Sequence, residues 1–403
     1  LEAQALIDGN PKEAAKHARA ENEYTDELTE ALQQMDKLAK AIRKRREKAG
    51  MIVLDLPEVE LEFDDKGNVI DAHPEDDAFT HQIIEAFMVE ANEAVARTFA
   101  SMDVPLIRRI HPDPPALDLE ELRQFTRVAG YNIPANPSRS ELQALIESAR
   151  GKPAARAVHL AVLKTLTKAE YSPMLIGHFA LASEHYTHFT SPIRRYPDLL
   201  VHRALDGLFR FAGAEAKLPK KTSERKKLGR RLRNESKLPD EAALVDLGRH
   251  CSTTERNAEQ AERELRDLLV LQLLEQHVGE EYAGTATGVT SFGVFIQIDK
   301  YLVEGLIRTN DLPGAPADRW KLNEHTGSLT AQRSGRSITI GDQFRVRIEK
   351  VDTSKREMTL AIVEDGGKGK GKGKGKRHFH ADRAGGEPRR KKRGKPKHRI
   401  KRR

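Results

Sequence analysis

The adjacent residues Arg194 and Arg195 carry the clearest chemistry in this sequence. They follow Thr190-Ser191-Pro192, a rigid turn in which the residue before proline is held extended. A planar guanidinium placed after such a turn can clamp a phosphate through two hydrogen bonds. Asp198 and His202 lie four positions apart on a predicted helix, so we expect them to face each other and to orient the arginines. The alternative is a buried ion-pair network that binds no ligand.

Helices and strands are predicted on both sides of these arginines. A β-hairpin is predicted over 51–72, with strand-like segments at 51–54 and 59–63 and turn residues at 64–68. A further strand is predicted over 105–111, where a proline cluster ends it. Apolar residues at steps of three and four predict the α-helices. These cover 21–48, 81–100, 117–129, 139–149, 154–169 and 240–276.

From residue 282 onward the pattern changes to five short strands, which fits a small β-barrel of the OB type. The strands are predicted at 282–289, 293–298, 303–307, 344–351 and 358–362. Phe292 and Phe295 lie on either side of Gly293 and offer a stacking face for bases, worth about 1–3 kcal/mol per base. The alternative for Phe295 is a place in the barrel core. Candidate phosphate contacts on the barrel are Arg308, Arg347 and Lys350.

The net charge of +8 is divided unevenly along the sequence. Residues 366–403 carry 18 Lys+Arg and 2 acids, whereas residues 1–365 carry 51 Lys+Arg and 59 acids. Lys alternates with Gly from 368 to 376, so we expect a disordered tail that contacts RNA or the ribosome. The alternative is a solvated tail with no specific partner. The basic segment 213–240 is expected to be a solvated loop or helix rather than an RNA guide.

The single cysteine, Cys251, excludes a disulfide framework within the chain and fits a reducing cytoplasm. It lies among apolar positions of the helix predicted over 240–276, so we expect a buried residue rather than a nucleophile. No apolar run of about 18 residues occurs, and no membrane span is predicted.

Several segments together carry a resemblance to a known family. The string HFTSPIRRYPDLLVHR over 188–203, preceded by GHFAL over 177–181, resembles the signature of the ribonuclease II/R catalytic domain (the RNB domain), in its ribonuclease R form. IIEAFMVEAN over 83–92 and PLIRRIH over 105–111 resemble segments that this family places similarly. The barrel is similar to the S1-type RNA-binding OB domain, and a basic tail also occurs in the family.

The resemblance assigns roles to individual residues. It implies that Arg194 grips the scissile phosphate and stabilises the charge that grows there during hydrolysis. Glu85 matches a glutamate that helps to hold the terminal nucleotide, and Glu262 matches another near the RNA path. The alternative for Glu85 is an exposed helix carboxylate. The residues expected to support Arg194 are Tyr196, Asp198, His202 and Arg203. The expected RNA contacts are Glu85, Glu262, Arg195, Phe292, Phe295, Arg308 and Arg347.

The metal ligands of the family are missing from the sequence. The family holds two magnesium ions with aspartates of the form D-x5-D-x-D-D, and no such cluster occurs here. Asp71 with Asp76 and Asp77 has the wrong spacing, and Asp64 with Asp65 fits a turn, so both groups are expected to be structural. The resemblance implies a chain cut short, with the aspartates upstream of Leu1. The intact enzyme would use Mg²⁺, and this chain alone would be inactive. A natural pseudo-enzyme is the rival explanation.

The predicted fold is α+β: a helix-rich, truncated catalytic domain over 1–276, a five-stranded OB barrel over 280–363 and a disordered basic tail over 366–403. The resemblance implies a monomeric exoribonuclease, and the single cysteine fits a cytoplasmic location. It would degrade single-stranded or structured RNA processively from the 3′ end to 5′-mononucleotides. The alternative is a non-catalytic RNA-binding adaptor that uses the barrel and the tail.

Overall fold

The computed structural model describes residues 2–18, 24–54, 59–74, 79–152, 155–213, 218–235, 238–323 and 327–363. Within these ranges a helix-rich region with two small sheets precedes a closed barrel. The helices are α1 (Glu2–Ile7), α2 (Pro11–His17), α3 (Asp26–Lys48), α4 (Phe79–Ser101), α5 (Ala116–Val128), α6 (Arg139–Ala149), α7 (Ala155–Thr165), α8 (Tyr196–Ala212), α9 (Thr222–Glu235) and α10 (Glu241–Leu274).

The helix starts are set by polar caps in the sequence. The Thr25 hydroxyl accepts from the backbone N–H of Leu28 and begins α3, five residues later than predicted. Ser138 and Glu141 form a reciprocal capping box at α6. The carboxylate of Asp240 accepts from the Ala243 amide at 2.8 Å and begins α10. These side chains satisfy N–H groups that a helix leaves without partners in its first turn.

Twelve strands occur in the described ranges. They are β1 (Val59–Phe63), β2 (Val69–Pro74), β3 (Arg108–Ile110), β4 (Glu170–Ser172), β5 (Glu281–Val289), β6 (Gly293–Ile298), β7 (Glu304–Arg308), β8 (Trp320–Asn323), β9 (Ser328–Ala331), β10 (Ser337–Ile338), β11 (Gln343–Asp352) and β12 (Glu357–Ile362). β1 pairs with β2, and β3 pairs with β4, both antiparallel.

The hairpin is shorter than the one predicted over 51–72, and the strand predicted at 51–54 is wrong. Asp64 accepts hydrogen bonds from the backbone N–H groups of Lys66 and Asn68, which folds the chain back at once and pairs β1 with β2. The segment 51–54 instead bonds outside any sheet. Its Ile52 amide donates to the carbonyl of Ala180 at 2.8 Å.

The barrel confirms the five strands predicted from the sequence. It closes in the order β11-β12-β7-β6-β5, with β12 and β7 parallel and the other pairs antiparallel. Alternate residues of β6 point inward, so Val294, Ile296 and Ile298 are fully buried. The segment between β7 and β11 contains a separate three-stranded sheet in the order β10-β9-β8.

The barrel core continues into the helical region. Leu271 and Leu274 at the end of α10 belong to the same apolar cluster as the barrel interior, and so does Ala72 of β2. Lys300 reaches across to Asp71 at 3.0 Å. Cys251 is buried on α10, as predicted. None of the helices in the described ranges is long and apolar enough to cross a membrane. The predicted tail over 366–403 lies outside the described residues.

Candidate functional site

The two arginines sit on a tight turn at the start of α8. The carbonyl of Ser191 accepts from the amide of Arg195 at 3.1 Å, which closes the turn around Pro192. Arg195 is the N-cap residue of α8, and Pro197 lies in the first turn, where a missing N–H costs nothing. The rigid bend predicted from Thr-Ser-Pro is therefore the local structure.

The side chain of Asp198 anchors this turn through two hydrogen bonds. It is 0% exposed, and Oδ1 accepts both the Ser191 amide at 2.8 Å and Nη2 of Arg195 at 2.7 Å. One carboxylate oxygen thus fixes the backbone before the proline and the guanidinium after it. A buried carboxylate is stable only when such partners offset its lost hydration. The orienting role predicted for Asp198 applies to Arg195.

The side chain of Arg194 points away from Asp198, unlike that of Arg195. It is exposed, and its Nε donates to the Ser191 hydroxyl at 2.9 Å. Its two Nη groups make no hydrogen bond or ion pair within the described residues. The guanidinium is therefore held at one edge and offers its remaining donors to an incoming anion, which is the geometry that two-point phosphate binding requires.

The expectation that His202 orients the arginines is wrong. Its Nε2 lies 2.9 Å from the carbonyl oxygen of Phe189, and its ring stacks on the Phe189 ring with 4.6 Å between centroids. His202 stands one helical turn beyond Asp198, so it reaches the chain segment that enters the turn rather than the turn itself. Tyr196 and Arg203 are exposed on α8.

A chain of aromatic and imidazole rings supports the turn, and sequence reasoning missed it. His111 stacks on His178 at 4.9 Å, and edge-to-face contacts continue through Tyr186 and His188 to Tyr171. The hydroxyl of Tyr171 lies 2.9 Å from Nδ1 of His188. The alternation of Tyr186, Thr187 and His188 is the signal that could have indicated it, because alternate residues of an extended segment share one face.

Burial keeps these rings neutral. It lowers the pKa of His178 and of His188 to about 3, in both cases chiefly by desolvation, and it raises the pKa of Tyr171 to about 12. The nearby guanidinium groups of Arg109 and Arg195 add to the effect on His188. The stacked rings therefore form a neutral scaffold behind the arginines, and their imidazoles carry no positive charge that would compete with the arginines for a phosphate.

Asn92 of α4 ties the scaffold to the turn. Its Nδ2 donates to the hydroxyl of Tyr186 at 3.0 Å, and its Oδ1 accepts from the amide of Phe189 at 2.9 Å. The side chain is 3% exposed. Both ends of one amide are therefore used to position the segment between residues 186 and 189.

Helix α10 fixes the far end of the ring chain. Gly248 lies so close to β4 that a Cβ there would collide with the carbonyl oxygen of Tyr171. The hydroxyl of Ser252, one turn further along, accepts from the Tyr171 amide at 2.8 Å. A small residue and a hydroxyl four positions apart thus dock the helix directly on the strand backbone.

The two glutamates assigned by resemblance are both exposed. Glu85 lies on the surface of α4 with no hydrogen bond or ion pair among the described residues, and Glu262 lies 3.4 Å from Arg266 on α10. Neither contacts the arginine turn, so their predicted RNA contacts stay predictions.

The barrel presents one aromatic side chain to solvent. Phe292 is 56% exposed, and Phe295 packs edge-to-face against it at 6.0 Å while half-buried. Gly293 between them approaches strand β7 so closely that a Cβ would meet the carbonyl oxygen of Ile307. Arg308 is exposed, but Arg347 is paired with Glu281 at 2.8 Å, which reduces its availability for a phosphate.

A metal site is not formed by the described residues. They contain no group of three or more His, Cys, Asp or Glu side chains that could hold an ion. Asp64 serves the hairpin turn, and Asp71 pairs with Lys300, as expected of structural residues. Asp76 and Asp77 lie outside the described residues.

A helical domain with an anchored arginine turn, followed by an OB barrel, matches two family models. The RNB domain matches residues 1–210, and the S1 RNA binding domain matches residues 275–362. The chain therefore belongs to the RNB domain family.

Individual relatives agree with this assignment. Ribonuclease R of Aquifex aeolicus is 34% identical over 365 residues, which cover 90% of this chain and 47% of that protein. Ribonuclease R of Escherichia coli is 29% identical over 83% of this chain and 40% of its own length. The structure of Mycoplasma genitalium RNase R in complex with ribose methylated single-stranded RNA matches with a TM-score of 0.73 at 25% identity, covering 89% of this chain and 53% of that one. The chain thus spans about half the length of these relatives.

Proposed function

We propose that this chain is part of a 3′-to-5′ exoribonuclease that hydrolyses single-stranded RNA processively and releases 5′-mononucleotides. The observation that carries the proposal is the Arg194 guanidinium, exposed at the tip of a turn that Asp198 and Asn92 hold rigidly. Fixed donors aimed at a phosphate stabilise the charge that develops on it without reorganising, and this electrostatic effect is usually the largest single contribution to catalysis. Membership in the RNB family and the relatives named ribonuclease R support the assignment.

The residues of the turn divide the work in this proposal. Arg194 contacts the scissile phosphate, and Arg195 contributes positive potential from a position that the buried carboxylate of Asp198 fixes. Burial keeps the rings of His178 and His188 neutral, and these rings pack against Tyr186 in the segment that leads into the turn. Their lowered pKa values make them unsuited to take up a proton at neutral pH.

Magnesium belongs to the proposal only for the intact enzyme. The described residues do not supply a set of ligands for it. We place the expected aspartates in a part of the protein other than these residues. A monomeric state is likewise proposed from the resemblance. A cytoplasmic location is proposed from the single cysteine, and contact between the basic tail and the ribosome from the charge of the tail.

The barrel fits a role in guiding the strand. Phe292 offers an exposed ring on which any base can stack, and Arg308 adds a charge beside it. Stacking does not distinguish between bases, so recognition of RNA should be independent of sequence. The second candidate function is a non-catalytic RNA-binding adaptor, for which the exposed ring of Phe292 on the barrel would supply the base contact.

The deciding experiment uses the natural full-length protein that contains this chain, with RNA radiolabelled at the phosphates along its whole length and Mg²⁺ present. The enzyme should release mononucleotides, and a blocked 3′ end should prevent the reaction. Arg194→Ala should reduce the rate at least a hundredfold, the loss typical of one transition-state donor, with little change in RNA affinity. The matched control is Arg210→Ala, an exposed arginine near the other end of α8.

Two outcomes would overturn the proposed function, and a third would overturn the role of Arg194. Absence of cleavage by the full-length protein, with RNA binding intact, would establish the adaptor. Internal cleavage of a 3′-blocked RNA would exclude an exonuclease. Unchanged turnover in Arg194→Ala would remove the catalytic role of that residue even if the protein proved to be a nuclease.

A further inference from the structure

Helix α9 carries a cluster of positive charge on an otherwise acidic body. Residues 220–233 hold eight Lys+Arg and one acid, Glu224, whereas residues 1–365 as a whole carry more acids than bases. The cations that are exposed are Lys220, Lys221, Lys226, Lys227, Arg230, Arg231 and Arg233. Sequence reasoning favoured a plain solvated loop or helix for this segment.

The structure separates the helix into a docking face and a charged face. Leu228 and Leu232 turn inward, and Leu232 is fully buried. Gly229 lies against the carbonyl oxygen of Met102 at the end of α4, closer than any side chain could come. The helix is therefore locked onto the domain through one face, and its cations can only point outward.

Some of these cations have partners, and some do not. Lys226 is 2.9 Å from Asp103, and Arg231 lies over the ring of Phe211 at 4.8 Å. Lys227, Arg230 and Arg233 have no hydrogen bond or ion pair in the part of the chain that the structure describes. Like charges three and four positions apart on a helix destabilise it by about 0.2–0.5 kcal/mol per pair. A bound polyanion would relieve that repulsion.

The charged face is distant from the arginine turn. Arg231 contacts the carboxy-terminal end of α8, whereas Tyr196 at the other end follows the turn directly. The fifteen-residue step from Tyr196 to Phe211 corresponds to about 22 Å along the helix axis. A strand held at Arg194 reaches α9 only if it is long enough to span that distance.

We propose that Lys227, Arg230 and Arg233 form a second RNA-binding surface, which contacts the phosphates of RNA outside the arginine turn. The helix contains no aromatic residue between Thr222 and Glu235, so it cannot stack on bases, and the contact should be independent of sequence. The surface serves an exonuclease and an adaptor equally, so it does not depend on the proposed catalytic function.

The test compares two triple variants with the same change in net charge. Lys227→Glu/Arg230→Glu/Arg233→Glu removes the proposed surface. Lys37→Glu/Lys44→Glu/Lys48→Glu is the control, which alters three exposed lysines of α3 that have no ion pair among the described residues. Affinity for fluorescent oligouridylate is measured by anisotropy over a range of salt concentrations, and circular dichroism checks that both variants fold.

The α9 variant should bind a long RNA more weakly. A plot of the logarithm of its association constant against the logarithm of salt concentration should be less steep by about 2, since each single-strand phosphate contact contributes about 0.7 to the steepness. Affinity for an oligonucleotide too short to span the distance from Arg194 to α9 should not change. If the α9 variant showed the same salt dependence as the unaltered protein, the proposal of a second RNA-binding surface would be overturned. An equal loss in the α3 control would also overturn it, because net charge alone would then explain the effect.

Discussion

Replacing Asn92 with alanine should loosen the arginine turn without touching an arginine. The substitution removes the acceptor of the Phe189 amide and the donor to the Tyr186 hydroxyl, both within a buried region. Each buried polar group left without a partner costs about 1–3 kcal/mol. We therefore expect the free energy of unfolding to fall by about 2–6 kcal/mol.

Urea unfolding followed by circular dichroism measures that loss. The matched control is Asn257→Ala, an exposed asparagine of α10 that should change the free energy of unfolding by about 0.5 kcal/mol or less. Hydrogen exchange adds a local readout, because the Phe189 amide should lose protection relative to a barrel amide such as that of Ile296. Asn92→Asp retains an acceptor for the Phe189 amide, so that amide should stay protected.

Two results would refute this reasoning. The first is a stability loss in Asn92→Ala no larger than that of Asn257→Ala, which would mean that neither hydrogen bond matters. The second is a Phe189 amide that stays as protected in the alanine variant as in the wild type, which would mean that other contacts hold the turn.

Three further outcomes are expected. Phe292→Ala should weaken binding of single-stranded RNA by about 1–3 kcal/mol in anisotropy titrations. The control Phe209→Ala, which removes an exposed phenylalanine of α8, should leave binding unchanged. Equal losses in both variants would rule out stacking on the barrel. Because burial lowers the pKa of His178 and His188 to about 3 from 6.5, the unfolded chain binds their protons first, and the free energy of unfolding should decrease as the pH falls from 6.5 towards 3. Replacing both with glutamine should flatten that decrease, and an equally steep one would contradict the assignment. Gly248→Ala should lower the midpoint of thermal unfolding, since the added Cβ collides with strand β4; an unchanged midpoint would show that the helix can shift freely.

The parts of the site that lie close together in sequence were predictable. The turn at Thr190-Ser191-Pro192 follows from the stiffness of proline. The five barrel strands were predictable for a similar reason, because alternation of apolar residues is a local property of each strand. The buried state of Cys251 followed from its place in an apolar repeat.

The partners of those residues were not predictable. Helical spacing put Asp198 and His202 on one face, but only the folded chain placed Phe189 over the His202 ring and left the arginines to Asp198. The hairpin prediction was wrong for the same reason. The sequence pattern identified strand-like segments, but it did not specify that β1 pairs with β2 rather than with the segment 51–54.

The sequence by itself determined where the chain bends, where two adjacent arginines follow that bend, and which family the chain belongs to, since these depend on neighbouring residues and on motifs. The tertiary structure alone decided that Asn92 would brace a segment ninety-four positions away and that Arg347 would be taken up by Glu281. It alone also turned the cations of α9 outward by locking Gly229 against Met102. Contacts of this kind join residues remote in sequence, and no local preference encodes which distant surface a side chain will meet.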